Sequence, residues 1–391
     1  MDSCRVLVCC VVLVAVHWGS VFAQTAPATS APEVIAKDLR EQTVQIEVTV
    51  KDMYGREETR RIPLVIYRPQ GEGPYPLVVF NHGRAVDAKR ATQGRSKPEH
   101  LARYLVGKGF VVMAPTRVGY ADTYGDFDPE QSGSCANRRI EPMSLAASDQ
   151  VLATVAFAKS LAYVDTSRWL VVGQSVGGLT AVAAVGRGPT GLVGGINFAG
   201  GTGGNPDASP GRPCSPSAIE AYWGKLAKTA QAPMLWLYWE NDKYWGSDVP
   251  KAWYRAWAGA GAKARFVALA ASGEDGHNGL GADMNHWLPE VDGFLAQLGF
   301  TQAAIVAVPP PSGFADLADV SPPPLSEPSR TAAYVKFLDT KLPRAFAVGG
   351  KSGWGYATGD YAVGRAIGYC QRSGQTCKLY AVDDQVVWTD R

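Results

Sequence analysis

The pentapeptide Gly173-Gln174-Ser175-Val176-Gly177 stands between an apolar run, Trp169-Leu170-Val171-Val172, and an alanine-rich run that begins at Leu179. That succession constrains the fold more than any other feature, because it asks for a strand that turns at once into a helix. In so sharp a turn the serine backbone is strained, and flanking glycines are needed because side chains would collide where strand and helix meet. The Ser175 hydroxyl is thereby pushed into the open. A chain with 43 glycines among 391 residues meets this spacing readily, so the inference rests on the flanking strand and helix.

Short apolar runs alternate with helical ones from about residue 43 to residue 300. Thr43 to Val50 and Arg61 to Tyr67, joined by a turn at Tyr54-Gly55, read as an antiparallel hairpin at a sheet edge. Tyr75 to Phe80, Phe110 to Ala114, Trp169 to Val172, Gly191 to Phe198, Met234 to Tyr238 and Ala264 to Leu269 read as strands buried on both faces. Helical patterns fill the intervals, as at Glu99 to Gly107, Ser144 to Ala162 and Val249 to Ala258. The expected fold class is α/β: a mostly parallel central sheet with helices on both faces and ligands at the carboxyl ends of the strands.

The ends of the chain differ from this core. Residues 1–23 read as a secretory signal, with Arg5, an apolar stretch from Val6 to Val16 and a small-residue cleavage site at Val21-Phe22-Ala23. Eleven apolar residues fall short of the roughly 20 that span hydrocarbon, so no membrane anchor is expected after cleavage. The catalytic domain would run from 24 to 301. Residues 302–330 carry Pro309-Pro310-Pro311 and Pro322-Pro323-Pro324 and read as a semi-rigid linker. Residues 331–391 read as a small α+β module with a helix near Tyr361 to Gln371 and a terminal hairpin around Asp383-Asp384.

Four cysteines remain after the signal: Cys135, Cys214, Cys370 and Cys377. An even count in an exported chain suggests two disulfides. Pairing Cys135 with Cys214, and Cys370 with Cys377, joins neighbours within each domain without crossing the linker, and a seven-residue staple suits so small a module. No zinc-type spacing occurs, so no metal is expected. A net charge of +2 without a basic run gives no case for nucleic acid.

A serine hydroxyl at neutral pH needs a base, and the base needs a carboxylate to fix its tautomer. In the order serine, acid, histidine, only His277 and His286 qualify as the base. His277, in the glycine-flanked loop Gly273 to Gly279, is favoured; His286 opens the next helix and is the alternative. Past the strand Met234 to Tyr238, Asp242 is favoured as the acid over Glu240, which lies close to the strand end. Negative charge on a substrate oxygen would be received by the Val176 N–H and by an N–H of the loop Asn81-His82-Gly83-Arg84, with Arg84 first and Gly83 next. For the Arg84 side chain itself an ordinary surface ion pair is the expectation. Tyr120, Trp239, Tyr244 and Trp245 fall on the same edge and are candidates to line a substrate pocket.

The loop Asn81-His82-Gly83-Arg84, the elbow Gly173 to Gly177, Glu240-Asn241-Asp242 with aromatics following, Gly273 to His277, and Trp287-Leu288-Pro289 leading to Phe294-Leu295, five motifs in this order, resemble the dienelactone hydrolase-like and prolyl-oligopeptidase-like serine hydrolases of the α/β-hydrolase superfamily, over about residues 43 to 300. The resemblance implies an α/β-hydrolase fold and acyl transfer at Ser175 without a cofactor, acting on a small-molecule ester. Dienelactone hydrolases proper use a cysteine where this chain has Ser175. A serine peptidase and a catalytically idle binding scaffold are the competing readings, and a secreted or periplasmic location follows from the signal.

Overall fold

A computed structural model of the chain describes residue 1 and residues 36–306, 308–321, 328–350, 353–359, 361–372 and 376–389. The signal and its cleavage site, Met1 apart, lie outside the described residues. Residues 33–391 make up one unit.

Its larger sheet has eight strands: β1 (Gln42–Lys51), β2 (Glu57–Tyr67), β3 (Tyr75–Asn81), β4 (Val111–Pro115), β5 (Val164–Gln174), β6 (Leu192–Phe198), β7 (Met234–Trp239) and β8 (Ala264–Leu269). They lie in the order β1-β2-β4-β3-β5-β6-β7-β8. β1 and β2 pair antiparallel from Gln42↔Ile66 to Lys51↔Glu57, and β2 runs antiparallel to β4. All other neighbours are parallel. This is the expected α/β-hydrolase fold. The continuous apolar runs are explained by burial on both faces: Leu77 to Val79, Trp169 to Val172 and Leu235 to Leu237 are all but inaccessible.

Among the described residues, eight helices accompany the sheet: α1 (Asp87–Arg90), α2 (Glu99–Gly107), α3 (Ile140–Ala158), α4 (Val176–Gly186), α5 (Pro216–Ala227), α6 (Val249–Gly259), α7 (Gly279–Ala282) and α8 (Met284–Gln297). Every residue of α4 is buried, which is why its sequence is small and apolar all round rather than amphipathic. Tryptophans set the α5 and α6 side. Trp253 and Trp257, one helical turn apart, meet Trp223 and Trp236 at ring distances of 5.3 and 5.9 Å, and Trp223 meets Trp236 edge-on at 4.8 Å.

A second sheet, ordered β10-β9-β11-β12, holds β9 (Arg344–Gly349), β10 (Gly353–Thr358), β11 (Lys378–Val382) and β12 (Gln385–Val386). β11 and β12 pair around Asp383-Asp384. Helix α10 (Ala362–Gln371) lies on one face, and α9 (Pro328–Leu338) packs Tyr334 and Phe337 on the aromatic core of the other. α9 begins three residues before the expected boundary at 331. The proline-rich segment is also less of a spacer than its composition suggests. Ile305 N–H donates to the Gly107 carbonyl, Ser312 N–H to that of Val386, and Phe314, Leu317 and Val320 pack on the module. The apolar residues between the prolines supply a face to bury.

Candidate active site

Ser175 sits between β5 and α4 with φ 57° and ψ −124°, a left-handed conformation that costs roughly 1–3 kcal/mol in a non-glycine residue. The packing that enforces it is visible. A Cβ on Gly173 would overlap the Gly177 carbonyl, and one on Gly177 would overlap the Asn81 carbonyl. The serine backbone is held at both ends, its N–H donating to the Phe198 carbonyl at 3.0 Å and its carbonyl accepting from Gly201 and Leu179 N–H at 3.1 Å each.

Asp242 follows β7 and is buried. Its Oδ1 accepts from the N–H groups of Tyr244 and Trp245 at 2.7 and 3.1 Å, and its Oδ2 lies 3.0 Å from His277 Nδ1. Two backbone donors on one oxygen fix the carboxylate so that the other faces the imidazole. With Nδ1–H donated to Asp242, the ring is left with Nε2 as its basic atom.

The loops bearing Asp242 and His277 are laced together. Asp275 Oδ1 accepts from Lys243 N–H at 2.9 Å and His277 N–H at 3.0 Å, and Asn241 Oδ1 accepts from Ser272 N–H at 2.9 Å. Gln174 Nε2 donates to the His277 carbonyl at 2.9 Å, tying the histidine to the residue before Ser175. Tyr244 stacks on the imidazole with centroids 3.9 Å apart, and Trp245 meets it edge-on at 5.5 Å. Sequence reasoning missed Asp275, Asn241 and Gln174 as positioning groups. The one available signal was an aspartate two residues before a loop histidine, a spacing that lets its carboxylate cap the histidine N–H.

On the other side of Ser175, a Cβ on Gly83 would stand 3.2 Å from Ser175 Cβ and 3.8 Å from its Oγ, so the loop after β3 lies against the serine side chain. Beneath it His82 donates Nδ1–H to the Gly83 carbonyl at 2.7 Å and accepts at Nε2 from Arg117 N–H at 3.1 Å. Burial, reinforced by the Arg117 charge, pushes His82 down to about 3 and keeps it neutral. Arg117 Nη1 donates to the His82 carbonyl at 2.8 Å, and its guanidinium pairs with Glu130, which also accepts from the Tyr120 hydroxyl at 2.6 Å. Burial alone would raise Glu130, but the Arg117 and Arg84 charges overcome it and hold it at about 2.

The Arg84 side chain departs from the expected surface pair. It grips Asp128 with two bonds of 3.2 and 2.6 Å at a largely buried site, and Arg90 joins at 3.0 Å. Val176, the first residue of α4, presents an N–H that no intrahelical carbonyl can satisfy.

The remaining candidates divide. Tyr120, Trp239 and Trp245 do not line an open pocket: each is about 1% exposed. Trp239 Nε1 donates to Asp283 and Trp245 Nε1 to the Ala199 carbonyl, both at 2.7 Å. Their size and apolar bodies drew them into support of the site from below. Tyr244 stays half-buried on His277. Glu240 is exposed, and His286 is 63% exposed and paired with Asp283, away from Asp242. Cys135 pairs with Cys214 at a Cα separation of 5.4 Å, and Cys370 with Cys377 at 6.0 Å. Among the described residues no helix is long and apolar enough to cross a membrane.

No protein-family model matches the chain, and no curated protein does. Solved structures do. A protein assigned as a dienelactone hydrolase from Klebsiella pneumoniae is 17% identical, with 66% of this chain and 98% of that one covered and a TM-score of 0.43. An esterase of Pyrococcus furiosus is 14% identical over 68% and 96%, with a TM-score of 0.45. For an acylaminoacyl peptidase of Pyrococcus horikoshii the figures are 15%, 68%, 42% and 0.44. Such scores record similarity alone.

Proposed function

We propose that the chain is a serine hydrolase that cleaves carboxylic esters through an acyl-enzyme. The observation that carries this reading is the buried Asp242–His277 pair, tethered through Gln174 to a serine held at positive φ. Ser175 Oγ attacks the ester carbonyl while His277 Nε2 takes its proton. Asp242 holds the Nδ1–H tautomer and stabilises the imidazolium. The oxyanion is received by the N–H of Val176 and by that of Gly83 or Arg84; one such donor is worth roughly 2.7–4 kcal/mol. His277 then protonates the leaving alcohol, and water releases the acyl group by the same steps in reverse.

A peptidase would use the same groups with an amine as leaving group. The closeness of Tyr244 to the imidazole favours substrates with an apolar or aromatic acyl or alcohol part. Initial rates on a panel of p-nitrophenyl esters and aminoacyl anilides test the choice: the esters should turn over and the anilides should lag by orders of magnitude. Turnover of anilides at comparable kcat/KM would make the chain a peptidase. Export is part of the same proposal, supported by the signal-like first 23 residues and by two disulfides; the mature N-terminus should be found at Gln24.

A further inference from the structure

His277 belongs to a run of short elements that cannot hold themselves. The single turn Gly276–Asn278 and the four-residue α7 carry too few internal hydrogen bonds to offset the entropy of fixing them. On the sheet side Gly279 lies flat against the Trp239 ring, and Asp283 accepts from Trp239 Nε1 at 2.7 Å. On the outer side the support comes from the C-terminal module. Arg372 Nη2 donates to the Gly281 carbonyl, and the Tyr369 hydroxyl donates to Asn285 Oδ1 at 3.1 Å. The Arg372 guanidinium lies over the Tyr369 ring, 4.6 Å from its centroid. Close approach is possible because residue 368 is glycine: a Cβ there would come 3.0 Å from His100 Cβ and 3.7 Å from Met284 Sδ.

We infer that the module is a positioning element for the reaction, with Arg372 and Tyr369 fixing residues 279–285 from outside and so holding His277 in line with Asp242 and Ser175. The inference rests on the reading of His277 as the base. It gives the appended module a task within the hydrolase rather than a ligand of its own. The Cys370–Cys377 bond ties the last turn of α10, which carries Tyr369 and is capped by Arg372, to the residue before β11.

The full-length protein tests it by steady-state ester hydrolysis. Arg372→Ala should lower kcat roughly tenfold with KM unchanged, since misplacing a catalytic group by even a fraction of an ångström costs rate rather than affinity. Arg372→Lys, which still donates to the Gly281 carbonyl, should recover most of that loss. Tyr369→Phe, which removes one oxygen only, should lower kcat in the same sense, and it decides by the same criterion should Arg372→Ala not fold. Trp354→Ala, on the sheet face away from α10, should leave kcat unchanged. Wild-type kcat in Arg372→Ala and Tyr369→Phe overturns the inference, as does an equal loss in Trp354→Ala. An unaltered protein that hydrolyses no ester and forms no adduct at Ser175 defeats the hydrolase reading itself, a distinguishable failure.

Discussion

Asp242 Oδ2 lies 3.0 Å from His277 Nδ1 while the opposite oxygen is held by the N–H groups of Tyr244 and Trp245. The carboxylate is therefore held in one orientation, and it selects one imidazole tautomer. An amide in its place would favour the other. Asp242→Asn should lower kcat by about 10⁴, as the same exchange does in a well-studied serine protease. Glu240→Gln, at an exposed position, should leave kcat within a factor of two or so. Steady-state kinetics of the two variants decide, and the reverse order would move the acid to Glu240.

The two candidate histidines separate in the same way. His277→Ala should cost several orders of magnitude in kcat because triad members act as a unit. His286 is mostly exposed and pairs with Asp283 rather than with Asp242, so His286→Ala should leave kcat near wild type. Greater damage from His286→Ala would reassign the base.

Acid stability should report His82. Its folded value is about 3 against an ordinary 6.5, so between these limits the unfolded chain binds a proton that the folded chain refuses. The contribution is fully present above pH 6.5 and is lost as pH falls towards 3, at about 1.4 kcal/mol per pH unit. His100, pushed down to about 4 by burial and then by Arg372, acts in the same direction. Urea midpoints should fall from pH 6.5 to pH 4, and less steeply in His82→Gln. Midpoints independent of pH in this window would mean that neither histidine is held neutral.

The Cys135–Cys214 bond spans 79 residues and ties the loop after β4 to the one after β6. Cys214 N–H donates to the Gly203 carbonyl, and Gly201, two residues earlier, donates to the Ser175 carbonyl. Chain entropy alone gives such a crosslink roughly 4–5 kcal/mol. The Cys135→Ser, Cys214→Ser double variant should raise KM at temperatures where the fold, followed by circular dichroism, is still intact. Loss of KM and fold together would show that the bond serves stability only.

The elbow was legible because its constraint is local: glycines at 173 and 177 are required by atoms within a few residues of Ser175 or on the adjacent strand. Strand runs such as Trp169 to Val172 were legible from their apolar continuity. The surroundings of the site were not. Whether Trp239 and Trp245 face substrate or the core depends on Asp283 and Ala199, which lie more than 40 residues away in sequence. Likewise, the partner of Arg84 is 44 residues distant. Helix α9 escaped notice because the prolines before it dominate the local composition, while the aromatic face that stabilises it belongs to β9 and β11.

The proposed reaction stands on Ser175 acting as a nucleophile activated by His277. Incubation with a fluorophosphonate followed by peptide mass spectrometry tests it most directly. One adduct per chain on the peptide containing Ser175, strongly slowed in His277→Ala, is the predicted result. An unmodified Ser175 in folded protein, or a rate of labelling indifferent to His277, would contradict it.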